Sequence, residues 1–225
     1  MKIAKKQLET AIGLLIVFIL YTISLTLIDV QKIGPQHSEV GFATLNQSLV
    51  NKIGTSAFWY QVTEVLGIFP LMIVGYFALR GFLQLYTRKK LSLVDKEILA
   101  LGFLYAAVAA CYVLFEKVVI NYRPILVDGQ LEASYPSSHT FLAITVLLSA
   151  FYVLRKETGM VKAIIAYLSL VIMIVLVIGR FLSGAHWGTD IFGGILLGLT
   201  LVSFYLAGIE DSSKHKKRTL KTQRS

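Results

Sequence analysis

The chain has 225 residues, of which 56% are hydrophobic and only 16% charged, and its mean hydropathy is +0.69. These proportions exclude an ordinary soluble domain and point to a polytopic membrane protein. The net charge of +9 sits in short clusters between apolar segments, so it reads as topology and attraction to anionic headgroups rather than as nucleic-acid binding.

A membrane-crossing helix needs about 20 mainly apolar residues. Lys2, Lys5 and Lys6 precede the first such segment, Ala11 to Val30, which is too long for a signal peptide, lacks a small-x-small cleavage site and is expected to be an uncleaved anchor. Between it and the second span, Phe42, Leu45, Leu49 and Ile53 recur at helical steps. They predict a short amphipathic helix in the outer interface, either roofing a lipid-entry cleft or packing on the bundle. The second span, Trp59 to Leu79, contains Pro70, expected to bend it, and Glu64 near its outer end. Ile98 to Ile120 is the third span and holds the lone Cys111, which can form no internal disulfide. The fourth, Thr140 to Leu154, is short, and its first turn is expected to start at Ser138 or His139. Ala163 to Leu182 and Ile191 to Ala207 complete six spans, followed by a basic tail, residues 211–225, expected to be unstructured. The expectation is an all-α bundle of six transmembrane helices, one membrane domain over residues 1–210.

The basic residues orient it. With the N-terminus inside, the cytoplasmic segments carry 17 of the 22 Lys and Arg, so the positive-inside rule places both termini in the cytoplasm. Three polar motifs then fall on the outer side: Arg123-Pro124, Pro136-Ser137-Ser138-His139, and the run from Arg180 to His186 and Asp190. Two arginines, two of only four histidines and an Asp–His pair on one side of the membrane ask for an anionic partner, since ionisable groups near span ends are costly. If the chain is helical from His186, Asp190 lies one turn away on the same face. The carboxylate can then hold the imidazole NH and leave the other nitrogen free to attack. His139, His186 and Asp190 could alternatively form a two-His, one-carboxylate metal shell, but the arginines would repel a cation and suit a phosphate better. His37 and His215 read as solvated surface histidines.

The ordered set Arg-Pro, Pro-Ser-x-His and Arg-x5-His-x3-Asp, between Lys117 and Asp190, resembles the signature of the type 2 phosphatidic acid phosphatase superfamily, which also includes the vanadium haloperoxidases. The haloperoxidases are typically soluble, unlike this bundle. The resemblance implies that His186 attacks phosphorus, Asp190 orients its imidazole, and His139 protonates the leaving oxygen and later activates water. It implies that Arg123, Arg180 and a lysine bind the phosphoryl oxygens, and that Ser137 and the backbone NH groups from Ser138 onward complete the anion cradle. No metal and no cofactor enter this scheme.

Two departures stand out. The family pattern is Lys-x6-Arg-Pro, yet Lys117 is one position too close to Arg123 and Glu116 holds the expected place. Glu116 could face a substrate hydroxyl, pair with an arginine, or point away while Lys117 reaches the phosphate. Ser138 and Gly179 stand where the family has glycine and serine. Glu64 could balance the arginines, contact a headgroup, or be satisfied by Thr63. The resemblance implies an enzyme hydrolysing a phosphomonoester or pyrophosphate of a membrane lipid at the outer face of a bacterial-type cytoplasmic membrane, with undecaprenyl pyrophosphate first. Phosphatidylglycerophosphate, phosphatidic acid, a lipid phosphotransferase and a non-catalytic lipid-binding or transport protein are the alternatives.

Overall fold

The computed structural model describes the backbone of residues 2–222 and the side chains of residues 5–209. Among the described residues eight α-helices follow in order: α1 (Lys2–Leu27), α2 (Ala43–Ile53), α3 (Ala57–Leu66), α4 (Ile68–Arg88), α5 (Lys96–Lys117), α6 (Ser138–Leu154), α7 (Met160–Ser183) and α8 (Gly188–Thr222). Among the described residues there is no strand longer than an isolated bridge. Lys5–Leu27, Ala57–Arg88, Lys96–Lys117, Met160–Ser183 and Gly188–Ile209 are each long and apolar enough to cross a membrane, and Ser138–Leu154 is a shorter apolar helix. The chain is a multi-pass membrane protein. Its outer apolar side chains confirm the inversion of a soluble fold: Leu27, Phe103 and Met160 are among the most exposed.

α6 is the hub. At 17 residues it is about 26 Å long, yet it carries a buried surface on most of its circumference, including Phe141, Val146, Leu147 and Ala150. It packs against α7, α8, α4 and α5. Its start at Ser138 is where the sequence placed it.

Three features refine the sequence expectations. The bend expected from Pro70 is present: the second span breaks at Gly67, between α3 and α4. A proline ring clashes with the carbonyl four residues earlier, here Leu66, so the distortion appears one turn upstream. The periodic segment around Leu49 does form α2, but it lies on the start of α8: Asn46 Nδ2 donates to Thr189 Oγ1 at 2.9 Å. None of its residues lines the cleft described below, so it packs on the bundle and forms no roof over that cleft. α8 continues as helix to Thr222, where an unstructured tail was expected from Asp211; residues 223–225 and the side chain of His215 lie outside the described residues. His37 is exposed, as expected.

Candidate active site

The loop between α5 and α6 folds back as a narrow hairpin. Arg123 N donates to Glu132 O at 3.0 Å and Ser134 N to Asn121 O at 2.9 Å. Its tip, Val127-Asp128-Gly129-Gln130, has positive φ at Asp128 and Gly129, the conformation that an Asp-Gly pair adopts in tight hairpins. Trp187 Nε1 donates to Tyr122 O at 2.8 Å, which ties the hairpin to the segment between α7 and α8. Arg123 is thereby held over the start of α6.

α7 ends at Gly184, which adopts a left-handed φ of 68°, and a Cβ there would lie 2.7 Å from Gly54 O. This turn delivers Ala185, His186 and Trp187 as non-helical chain before α8 begins at Gly188. The expectation of His186 and Asp190 on one helical face is therefore corrected. Asp190 sits in the first turn of α8, and its Oδ2 reaches back to accept from Trp187 N at 3.1 Å, as a carboxylate at the third helical position does in a capping box. Among the described residues Asp190 makes no hydrogen bond to His186. Its Oδ1 accepts from Asn121 Nδ2 at 3.0 Å and its Oδ2 from Ser134 Oγ at 2.5 Å.

Ser134 fills the gap. His186 Nδ1 lies 3.1 Å from the Ser134 carbonyl oxygen and 3.0 Å from Ser134 Oγ. A carbonyl can only accept, so Nδ1 carries the proton and Nε2 keeps its lone pair. Burial, followed by the charges of Arg123 and Arg180 and by His139, holds the His186 imidazole well below its ordinary range. His186 is 3% exposed, and its Nε2 is buried with no partner. The result is a neutral, oriented imidazole with an unpartnered Nε2, and His186 lines a narrow recess together with Ser134, Ser138 and Glu116.

Arg180 is fully buried. Its Nη2 donates to Glu64 Oε1 at 2.7 Å and lies 2.6 and 2.8 Å from the two ring nitrogens of His139. Its Nε and Nη1 have no partner. Glu64 also lies 3.6 Å from His139 Nε2, so Glu64, Arg180 and His139 form one knot. Thr63 does not serve Glu64, because its hydroxyl bonds to the Trp59 and Tyr60 carbonyls. Gly179 lets the knot form: a Cβ there would come within 2.6 Å of Thr63 Cγ2, forcing α3, and Glu64 with it, away from α7. The glycine at this position is a packing requirement of this chain.

Arg123 Nε lies 3.2 Å from Glu132 Oε2, close enough for an ion pair but not aligned as a hydrogen bond. Ser137 is committed elsewhere, with its N–H on the Asp190 carbonyl at 3.0 Å and its Oγ accepting from Thr140. The next three N–H groups, of Ser138, His139 and Thr140, fall in the first turn of α6 and have no acceptor inside the helix. Ser138 keeps a negative φ, so serine in place of glycine costs nothing there.

His139, Glu64, Glu116, Arg123, Glu132 and Ser138 line a single cleft of 1030 Å3 between α4, α5 and α6. Lys117, at the exposed last turn of α5, is not among its lining residues, whereas Glu116 faces both the cleft and the recess at His186. Among the described residues no three His, Cys, Asp or Glu side chains converge on a point that could hold a metal ion. Ser134, Asn121 and Glu132 were not singled out from the sequence. Only the adjacency of Ser134 to the Pro-Ser-Ser-His motif hinted at one of them.

A search of curated proteins finds no match. Among solved structures, the chain is similar to "the first transmembrane PAP2 type phosphatidylglycerolphosphate phosphatase from Bacillus subtilis", with 16% identity, a TM-score of 0.63, and coverage of 89% of this chain and 96% of that one. This likeness establishes the fold. Residues 97–214, more than half of the chain and including every motif above, match the family model described as the PAP2 superfamily, and the chain belongs to that superfamily.

Proposed function

We propose that the protein is a metal-independent lipid phosphatase of a bacterial cytoplasmic membrane, with α6 as the sixth crossing, both termini inside and the site on the outer side. The observation that carries this reading is the free Nε2 of His186, neutral, buried and without a partner. The buried Arg180, the partly buried Arg123 and the unpaired N–H groups that open α6 supply the positive groups that a phosphate needs.

The chemistry follows from these positions. His186 Nε2 attacks phosphorus while the bond to the leaving oxygen breaks and His139 donates a proton to that oxygen. The product is a phosphohistidine whose Nδ1 keeps its proton, hydrogen-bonded to the Ser134 carbonyl. His139, now without its proton, takes one from a water that attacks phosphorus, the P–N bond breaks, and phosphate leaves. Arg123, Arg180 and the N–H groups of Ser138, His139 and Thr140 hold the equatorial oxygens, with Ser137 bracing the turn that presents them. The phosphate displaces Glu64 and Glu132 as the partners of the two arginines.

Undecaprenyl pyrophosphate is the first candidate substrate, because an outward-facing site suits a carrier lipid recycled after export. Glu116 favours a second reading. A carboxylate where the family pattern has lysine lowers the positive charge available to a second phosphate, which suits a phosphomonoester such as phosphatidylglycerophosphate or phosphatidic acid. Phosphate release from these three lipids in EDTA, comparing wild type with His186→Ala, tests the reading. Release that disappears in the variant supports it. Phosphate transfer only to an added hydroxyl acceptor would make the protein a phosphotransferase, and binding without turnover a lipid-binding protein.

A further inference from the structure

To protonate a leaving oxygen, His139 must first hold a proton on both ring nitrogens. In the resting knot it does not. Its two ring nitrogens lie 2.6 and 2.8 Å from Arg180 Nη2, and a guanidinium nitrogen can only donate. The ring nitrogen that accepts from it carries no proton, so His139 rests as a neutral imidazole. Of the charged groups that act on this ring, Arg180 on α7 and Arg123 on the hairpin repel a second proton, and Glu64 on α3 attracts one. Among the described residues Glu64 is the only carboxylate within 4 Å of His139.

Two members of the knot are braced without Glu64. Arg180 is fully buried, and its guanidinium carbon lies 5.3 Å from the centre of the Tyr60 ring, a cation–π contact that persists when the carboxylate leaves. The His139 ring rests against the break between α3 and α4, since a Cβ at Gly67 would lie 3.4 Å from its Cδ2. Glu64 is the member free to move: its side chain is 44% exposed and lines the cleft. Its Oε1 lies 3.6 Å from His139 Nε2, and a shift of about 1 Å brings the pair to charge-assisted hydrogen-bond distance.

We propose that Glu64 is a positioning residue that passes from Arg180 to His139 when a phosphoryl group binds, so that the general acid is charged only with substrate in place. This rests on the phosphatase reading above, because a phosphate on Arg180 is what releases the carboxylate. A phosphoryl oxygen then accepts from Arg180 Nη2, the guanidinium no longer needs His139 as an acceptor, and Glu64 accepts from His139 Nε2–H. The ring takes its second proton, on Nδ1, from solvent through the open cleft. After Nδ1 has given that proton to the leaving oxygen, Glu64 still holds the proton on Nε2. Nδ1 is therefore the nitrogen left to take a proton from water in the second step, and one orientation of the ring serves both steps.

The test is nitrogen-15 NMR of histidine-labelled wild type and Glu64→Gln in lipid nanodiscs near neutral pH, with and without orthophosphate. His139 is assigned by the loss of its signals in His139→Gln, and the thermal midpoint reports whether orthophosphate binds. Wild type should show a neutral His139 without phosphate and a ring protonated on both nitrogens with it. With phosphate bound, the ratio of protonated to neutral ring should be about tenfold lower in Glu64→Gln, the effect of removing one adjacent opposite charge. A His139 that stays neutral in phosphate-bound wild type, or equal protonation in wild type and Glu64→Gln, overturns the handover. If Glu64→Gln does not accumulate as folded protein, Glu64→Asp, whose shorter side chain draws the carboxylate back from the ring, makes the same comparison. Orthophosphate that leaves the thermal midpoint of wild type unchanged would instead contradict the phosphate site, and with it the phosphatase reading, which separates the two failures.

Discussion

Ser134 stands between His186 and Asp190: its hydroxyl donates to Asp190 Oδ2 at 2.5 Å, while its carbonyl accepts the His186 Nδ1 proton at 3.1 Å. The carboxylate thus acts on the imidazole through a serine. In the proposed mechanism His186 becomes cationic on phosphorylation, and the negative charge of Asp190 then reaches it through the Ser134 hydroxyl. Ser134→Ala removes a hydrogen bond to a charged group, typically about 1.5 to 3 kcal/mol, and is expected to lower kcat by roughly tenfold to a hundredfold. Ser134→Thr keeps the hydroxyl and should restore much of the rate. In a double-mutant cycle, Ser134→Ala and Asp190→Asn should be non-additive; additive losses would show that the two act separately.

Glu64 and Arg180 form an ion pair with one partner fully buried and the other 44% exposed. Removing a carboxylate from a buried guanidinium is costly, but the exposure of Glu64 admits water, so Glu64→Ala should cost about 1 to 2 kcal/mol of stability. An oxyanion can take the vacated place on Arg180. Added orthophosphate should therefore raise the thermal midpoint of Glu64→Ala more than that of wild type. Equal shifts would place the phosphate elsewhere.

His186 stays neutral well below its ordinary pKa of 6.5, so on acidification the unfolded chain takes up a proton at this residue before the folded one does. The stability from keeping it neutral is complete above pH about 6.5 and is lost as pH falls below that value toward the lowered folded pKa. Thermal unfolding of wild type across this window should decline more steeply with acid than that of His186→Gln. Parallel slopes would mean that the imidazole protonates without hindrance.

The exchange of Lys117 for Glu116 at the cleft makes opposite predictions for neighbouring residues. Lys117→Ala should keep turnover within about twofold, the usual outcome for a surface side chain outside the site. Arg123→Ala should lose about a hundredfold or more through loss of transition-state charge stabilisation. Glu116→Lys should shift preference from phosphomonoesters toward pyrophosphates, read as the ratio of kcat/KM on the two classes. An unchanged ratio would remove Glu116 from substrate selection.

The long spans were legible because apolar length is a property of contiguous sequence, and the start of α6 at Ser138 was legible because its polar first turn belongs to a recognisable motif. The bend in the second span was legible from Pro70, and it falls one turn upstream because the proline ring acts on the carbonyl of Leu66. The His186–Asp190 contact was misread because periodicity assumes an uninterrupted helix, and the left-handed turn at Gly184 interrupts it. Ser134, Asn121 and Glu132 were invisible for a different reason. Ser134 and Asn121 gain their roles from a hairpin that folds onto a helix more than 50 residues away in the chain, and Glu132 from the pairing of that hairpin's two arms, which sets it beside Arg123; nothing in local composition encodes either encounter. Glu64 was singled out by its apolar surroundings, but its partner depended on the packing of α3 against Gly179.

The most direct test of the central claim is to trap the phosphorylated protein. With a lipid substrate radiolabelled at the reacting phosphate and rapid quenching in alkali, wild type should carry an acid-labile, alkali-stable label on the peptide containing His186. His186→Ala should carry none. An active enzyme in which no label is found, or in which the label persists in His186→Ala, would contradict the assignment of His186 as the nucleophile.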